Sequence, residues 1–514
     1  MIVFDQATLL AFTPPVLVAL LALVLVVVDI ARPARDRALT LIGAVGIAAI
    51  MAITVVIGPF GLAEAQVGLI PQAGGYEAFG GVYVRDALTA FLDLLLLSIA
   101  LLTILFGPDY LRPRGLPTAE FAAMLLFAIC GAMLLGGARD LVLLFLALEL
   151  LVLPGYLLAG YAKRDGLATE GAIKYFLLGS FSSAIFLFGL VLVFGFAGTT
   201  RIPEVAQSLL GVSELAALPA GLLMGIALLT TGAAFKIAAV PFHYWTPDAY
   251  QGSPTPVTGY LSVGPKVAAF ALLLRLFVEA LGGFKEDWTP FVMVLAVLTM
   301  SVGNLIALSQ DNIKRLLAYS SIAHTGYILV GLAAFGAATV GSPAEQAGLE
   351  ALLFYAFAYA FMNLGAFAVV GALQRRPGVT SQIATFAGLG RRAPLLGVLM
   401  FLFLLSLTGI PPFAGFWAKW YVIQAALQVG GWLNVLAVIT VVNAMVSAFY
   451  YLRVAVYMYM RDPAEGAPPI EVGTATRIGL AISAAVTLFI WLPPLATTLI
   501  DITREAAAVL IAGS

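Results

Sequence analysis

Glu149, Lys236, Lys266 and Lys419 each stand inside a long apolar run, in the segments ALELLVLPGY, GAAFKIAAVPFHYW, LSVGPKVAAFALLLRL and GIPPFAGFWAKWY. A charged side chain at the centre of a bilayer costs roughly 2.5–3.5 kcal/mol on insertion scales, so such residues call for a chemical reason. Burial favours the neutral form of a lysine or a carboxylic acid, whereas an opposite charge nearby favours the ionised form. A Lys–Glu pair that separates and rejoins therefore takes up and releases protons, which is the chemistry of a relay. Glu149 and Lys236 are the candidate pair. Lys266 and Lys419 lack an acidic partner at similar depth. The plainer readings are a fixed ion pair between helices or a lysine snorkelling to an interface; a fixed pair would not leave two lysines unpartnered.

The chain has two histidines, His243 and His324, the second in YSSIAHTGY. A neutral imidazole passes a proton between its two nitrogens near physiological pH, although a lone histidine in a helix serves equally as a hydrogen-bonded packing residue. Neither has another His, Cys or carboxylate at ligand spacing, so no metal site is expected. Lys174 and Glu170, four apart in EGAIKYFLLGSF, form first of all a helix-stabilising pair; the sharper alternative makes Lys174 a point of proton uptake. Asp93, about seven residues into its apolar run, is read as a helix-packing polar residue.

The elements that must hold these groups follow from composition. Of 514 residues 62% are hydrophobic and 10% charged, with a mean hydropathy of +1.04, far from the ~25% charged of soluble domains. This excludes a water-soluble enzyme. A net charge of −1 gives no nucleic-acid footprint. The single cysteine, Cys130, excludes a disulfide framework and a cysteine-held iron–sulfur cluster. Apolar runs at 9–30, 38–58, 86–107, 119–136, 140–160, 170–196, 217–250, 256–280, 289–309, 315–338, 350–373, 394–429, 431–459 and 474–497 predict an all-α polytopic membrane protein of fourteen spans. The first run follows Asp5 and lacks a basic start and a cleavage site, so it is expected to be a retained helix.

Orientation follows from the cations. With the N-terminus outside, the inner loops hold Arg32, Arg35, Arg37, Arg112, Arg114, Lys163, Arg164, Lys314, Arg315, Arg375, Arg376, Arg391, Arg392, Arg453 and Arg461. The outer loops hold Arg85, Arg139, Arg201, Lys285 and Arg504. That asymmetry places both termini on the outer side of the membrane.

Two runs are too long for straight spans. Residues 217–250 would extend ~50 Å as a helix and contain Pro241; residues 394–429 contain Pro411 and Pro412. Interrupted helices at corresponding places in two halves point to a repeat with its ion path near the breaks. Glu149 precedes Pro241 by 92 residues and His324 precedes Pro411 by 87. The expected division is residues 1–118 (spans 1–3), 119–281 (first five-helix repeat), 282–460 (second repeat, inverted because the repeat length is odd) and 461–514 (last span).

FKIAAVPFHYWTPDAYQGSPTPVT at 235–258, followed by Lys266, closely resembles the signature of the antiporter-like subunits of respiratory complex I. NIKRLLAYSSIAHTGY at 312–327 and IPPFAGFWAKWY at 410–421 resemble the matching parts of the second repeat. Within that family, ELLVLPGYLLAGY at 149–161, Lys at 419 where the M type has Glu, and no long lateral helix as in the L type resemble the N-type branch. The resemblance implies that Glu149 and Lys236 form the first-repeat ion pair, Lys266 is the central lysine and Lys419 the terminal one. It further implies that His243 and His324 belong to the hydrophilic axis and that Lys174 lies near the inner uptake side. NADH, FMN, iron–sulfur clusters and quinone would belong to partner subunits, and further antiporter-like subunits would be neighbours. The alternatives are a subunit of a multi-subunit Na⁺/H⁺ antiporter, the pump module of a membrane-bound hydrogenase or related dehydrogenase, and a scaffold whose charges only hold helices in register.

Overall fold

A computed structural model of the chain describes residues 5–31, 36–58, 75–209, 217–463 and 470–512. Arg32 and Arg35 of the charge asymmetry lie outside these residues. Helices α1 (Gln6–Ala31) and α2 (Asp36–Val56) lead to a short antiparallel hairpin, β1 (Tyr76–Ala78) and β2 (Tyr83–Arg85), in which Tyr76 pairs with Arg85. Then follow α3 (Ala87–Leu111), α4 (Thr118–Gly137), α5 (Leu141–Ala159), α6 (Gly166–Ala197), the short α7 (Ile202–Ser208), α8 (Ala220–Lys236), α9 (Trp245–Gly252) and α10 (Thr255–Leu274). A π-helical turn, Arg275–Ala280, extends α10. The second half comprises α11 (Lys285–Ala307), α12 (Ile313–Ala337), α13 (Pro343–Leu373), the single turn α14 (Leu389–Arg392), α15 (Pro394–Thr408), α16 (Ala414–Val429) and α17 (Trp432–Met460). Helices α18 (Thr474–Phe489) and α19 (Leu495–Ala512) complete it.

Local sequence starts these helices where polar residues satisfy the free N–H groups of the first turn. Asp86 accepts from the Thr89 amide at 2.8 Å, Asp140 from Val142 and Leu143, Asp165 from Leu167, and Asn312 from Lys314 and Arg315. Burial then sorts the helices. The apolar stretch of α10 is buried throughout and α12 and α13 nearly so, whereas α1, α2, α6 and α17 expose most of theirs. The exposed residues are large and apolar, such as Leu177, Phe181 and Phe188 on α6 and Val438, Met445 and Phe449 on α17. A helix apolar on every side with an exposed face of this kind fits a lipid surround. Close packing in the core relies on small residues: a Cβ on Gly326 would stand 2.4 Å from the Met300 amide nitrogen, so α11 and α12 meet backbone to backbone.

Among the described residues eleven helices are long and apolar enough to cross a membrane, and Ala220–Lys236, Pro394–Thr408 and Thr474–Phe489 are shorter apolar helices. Both over-long runs are broken at the prolines. Residues between Lys236 and Trp245 leave helical geometry around Pro241, and those between Thr408 and Ala414 do so around Pro411 and Pro412. Proline lacks the N–H that a continuing helix needs.

Two expectations about the termini of elements are corrected. The run 474–497 is not one helix: α18 stops at Phe489, ahead of Pro493 and Pro494, and α19 follows as a separate amphipathic helix. It lies against α3 and α13, and Arg504 pairs with Glu350 at 3.5 Å. Its alternation of Thr, Asp, Arg and Glu with apolar residues kept it below the hydropathy of a span. The segment before α3, read as a loop, contains the β1–β2 hairpin.

Candidate functional site

Lys236 is the last residue of α8, so its side chain leaves the helix where the break begins. It is 5% exposed and donates to the Ser183 hydroxyl of α6 at 3.2 Å. Glu149, midway along α5, lies within electrostatic reach of Lys236, yet no ion pair joins the two among the described residues. One carboxylate oxygen of Glu149, Oε1, is buried without a hydrogen-bond partner. The expected contact pair is therefore open in this structure, because the ammonium is held by a neutral hydroxyl instead.

Lys266 projects from the wholly buried α10 onto α12. Its ammonium donates to the Ser321 carbonyl and hydroxyl oxygens, both at 2.6 Å, and to the Thr325 hydroxyl at 3.0 Å. The Thr325 hydroxyl donates in turn to the Ile237 carbonyl at 2.9 Å. Thus α12 ties the central lysine to the residue that follows Lys236.

His324 sits on α12, 1% exposed. The hydroxyl of Tyr355 on α13 stands 2.8 Å from Nδ1, and that of Tyr451 on α17 stands 3.3 Å from Nε2. Tyr359 stacks on the ring with centroids 4.8 Å apart. Tyr451 also hydrogen-bonds the Ser320 hydroxyl.

Lys419 reaches back from α16 to the end of α15. A helix leaves its last carbonyls without partners, and this lysine donates to two of them, Leu407 at 3.0 Å and Thr408 at 2.7 Å. Its Nζ also lies 4.8 Å from the centre of the Tyr327 ring, a cation–π distance. Gly409 ends α15 with φ +93°, and a Cβ there would come within 2.8 Å of the Lys419 side chain. The two breaks thus differ in detail: Lys236 ends the helix before the first break, whereas Lys419 belongs to the helix after the second break and caps the helix before it.

Among the described residues Lys266 and Lys419 meet neutral oxygens and, for Lys419, a ring face. His243 lies in the first break, buried and stacked against Tyr244; among the described residues it is not joined to the contacts of His324. Lys174 is 43% exposed on its side chain and pairs with Glu170 at 2.6 Å and with Asp248 at 2.7 Å, and Asp248 pairs with Arg315 at 2.6 Å. The expected i,i+4 pair is present and belongs to a wider network reaching α9 and α12.

Sequence reading missed a second set of buried charges. Arg85, assigned to a loop, is fully buried in β2 and pairs with Asp93 at 2.8 Å. Asp93, read from sequence as a helix-packing polar residue, is ion-paired. Arg275 pairs with Asp86 at 2.9 Å and with Glu279, which also meets Arg139 at 3.3 Å. Lys285, likewise assigned to a loop, pairs with Glu345 at 2.5 Å. Lys314, counted in an inner loop, is 3% exposed and donates to the Gln251 carbonyl at 2.9 Å and to that of Ser253. The i,i+4 spacing of Arg275 and Glu279 was a readable signal; the pairing of Arg85 with Asp93 needs the hairpin.

Residues 138–446 match the family described as NADH:quinone oxidoreductase/Mrp antiporter, TM. A protein of Roseiflexus castenholzii named NADH-quinone oxidoreductase subunit N 2 is 41% identical over 445 residues, 86% of this chain and 88% of that one. Among solved structures, a chain of respiratory complex I from Thermus thermophilus with bound aureothin superposes with a TM-score of 0.73 at 30% identity, covering 94% of this chain and 98% of that one. A chain of the Mrp complex from Dietzia sp. DQ12-45-1b gives a TM-score of 0.81 at 23% identity over 98% of both, a likeness of fold alone.

Proposed function

Because this chain belongs to the NADH:quinone oxidoreductase/Mrp antiporter membrane family, as a relative of NADH-quinone oxidoreductase subunit N, we propose that it is the proton-translocating subunit N of an NADH–quinone oxidoreductase. It is a component of a translocase and carries no redox centre itself: NADH, FMN, iron–sulfur clusters and quinone are handled by partner subunits. Its neighbours are other membrane subunits, further antiporter-like ones among them. Counting the three shorter apolar helices as crossings brings the eleven spans to fourteen, arranged as spans 1–3 (1–118), two inverted five-helix repeats (119–281 and 282–460) and a C-terminal part (461–514). Both termini face the outside of the bacterial plasma membrane.

The observation that carries this reading is the buried series of lysines without a counter-charge in contact. Among the described residues the buried ammonium groups of Lys266 and Lys419 are held by neutral oxygens, so no fixed counter-charge ties their protons in place. Redox energy released elsewhere would draw Glu149 and Lys236 together or apart, and protons would step along Lys236, Lys266 and Lys419. His324 and His243 serve as secondary carriers and Lys174 as a point of uptake. Moving one charge across ~100 mV requires about 2.3 kcal/mol, within what opening and closing a buried ion pair supplies.

The test is purification through this chain in mild detergent. Flavin and iron–sulfur subunits with NADH-dependent quinone reduction are the expected companions. Recovery of small hydrophobic antiporter subunits alone, with no redox activity, would make the chain a Na⁺/H⁺ antiporter subunit instead. A different electron donor with the same pump would indicate a hydrogenase or related dehydrogenase.

A further inference from the structure

The lysine series leaves one buried assembly unused. Both ring nitrogens of His324 are engaged by tyrosine hydroxyls from different helices, Tyr355 of α13 at 2.8 Å and Tyr451 of α17 at 3.3 Å. A neutral imidazole has one donor and one acceptor nitrogen, so a hydroxyl on each side makes the ring the centre of a continuous donor–acceptor chain. Tyr451 continues that chain to the Ser320 hydroxyl. Ser320 lies one turn nearer than His324 to the end of α12 that carries Lys314 and Arg315, so the chain runs along the helix from that end towards mid-membrane. All four side chains are fully buried. Tyr359, stacked on the imidazole, fixes the ring plane.

Resting on the reading of this chain as a proton-translocating subunit, we infer that Tyr451 and Tyr355 are the hydroxyls that conduct protons to and from His324, with Ser320 at the uptake end. The step balances in atoms and charge. A proton arriving at the Ser320 oxygen releases that hydroxyl's own proton to the Tyr451 oxygen. The Tyr451 proton passes to Nε2 of His324, and the proton on Nδ1 leaves to the Tyr355 oxygen. Tyr355 then gives its original hydroxyl proton to a water molecule, just as a water molecule delivers the proton that Ser320 receives. One proton has crossed, every group is neutral again, and the imidazole has exchanged tautomers; rotation of the hydroxyls and transfer back across the ring restore the start. The role of α17 in the second repeat is to bring Tyr451 to the ring.

Tyr→Phe substitutions remove one oxygen and leave the packed ring, so they test conduction apart from folding. Tyr451→Phe and Tyr355→Phe, introduced singly into the intact complex, are expected to lower proton translocation on the order of tenfold and to raise its solvent isotope effect in D₂O, because the broken chain becomes limiting. Tyr83→Phe is the matched control: this tyrosine of β2 is equally buried, lies away from His324, and its hydroxyl has no hydrogen-bond partner among the described residues. It is expected to translocate at the parent rate. Ser320→Ala, which alters neither ring, should reproduce the isotope effect should a tyrosine variant fail to assemble. Parent rates and parent isotope effects in the Tyr451, Tyr355 and Ser320 variants would overturn the inference, as would an equal loss in Tyr83→Phe. If Lys266→Met and Lys419→Met stop translocation while these variants do not, the proposed function stands and this inference alone falls.

Discussion

Thr325 accepts a hydrogen bond from Lys266 at 3.0 Å and donates one to the Ile237 carbonyl at 2.9 Å, so one hydroxyl joins the central lysine to the first helix break. Ile237 follows Lys236 directly. A hydroxyl that must accept from one side and donate to the other couples the charge on Lys266 to the geometry of the break. Thr325→Val keeps the shape and removes both bonds. Loss of a hydrogen bond to a charged group is worth about 1.5–3 kcal/mol. Proton translocation by the assembled complex should fall by roughly tenfold, measured as proton uptake per NADH oxidised; an unchanged ratio would mean that the two sites are not coupled through this residue.

Lys266→Met should abolish translocation without weakening the fold. Among the described residues the ammonium has no counter-charge in contact, so replacing it by an apolar side chain of similar length removes a desolvation cost and leaves no partner charge exposed. The expected result is a melting temperature equal to or above that of the parent, with translocation lower by at least about two orders of magnitude. A destabilised complex that still pumps would identify the lysine as structural.

The opposite pattern is expected at Arg85. Its removal leaves the Asp93 carboxyl unpaired in a fully buried site, and breaking a buried pair in this way costs about 3–5 kcal/mol. Arg85→Met should reduce assembly and thermal stability, and adding Asp93→Leu should restore them. Restored complexes are expected to translocate normally, since this pair lies outside the lysine series. Loss of translocation in the stable double variant would instead place Asp93 in the proton path.

Gly409 allows Lys419 to approach the end of α15. Gly409→Ala combines a left-handed φ of +93° with a Cβ 2.8 Å from the lysine side chain. Roughly 1–3 kcal/mol of strain should move the lysine off the Leu407 and Thr408 carbonyls and lower translocation more than quinone reduction. Equal values for both activities would show that the site tolerates the methyl group.

At the rim, Asp248→Asn removes the carboxylate shared by Lys174 and Arg315. These groups are partly exposed, and such pairs contribute only about 0.2–1 kcal/mol and are screened by salt. Turnover should fall by no more than about threefold, with the deficit shrinking as ionic strength rises. A large, salt-insensitive loss would assign the network to uptake itself.

Much of this architecture was legible along the chain. Apolar runs located the helices to within a few residues for most spans, because a helix in lipid must be apolar over a set length. Pro241, Pro411 and Pro412 announced both interruptions, because proline cannot donate the bond that continues a helix. Lysines in apolar runs stood out for the same reason of cost, and Lys236, Lys266 and Lys419 are all buried. The last run was misread because α19 is amphipathic, and composition averaged over α18 and the prolines concealed the boundary.

What the sequence by itself determined was which residues enter the membrane core and where the backbone breaks, since both follow from transfer cost and local backbone chemistry. Tertiary structure alone decided which buried groups meet. It set Ser183 rather than Glu149 against Lys236, closed Arg85 on Asp93 across a hairpin, and brought Tyr355 and Tyr451 to the two nitrogens of His324 from helices 31 and 127 residues away. Tyrosines are common in apolar helices and carry no charge to betray a cost of burial. Only the packing of α12 against α13 and α17 turns their hydroxyls into partners of one imidazole.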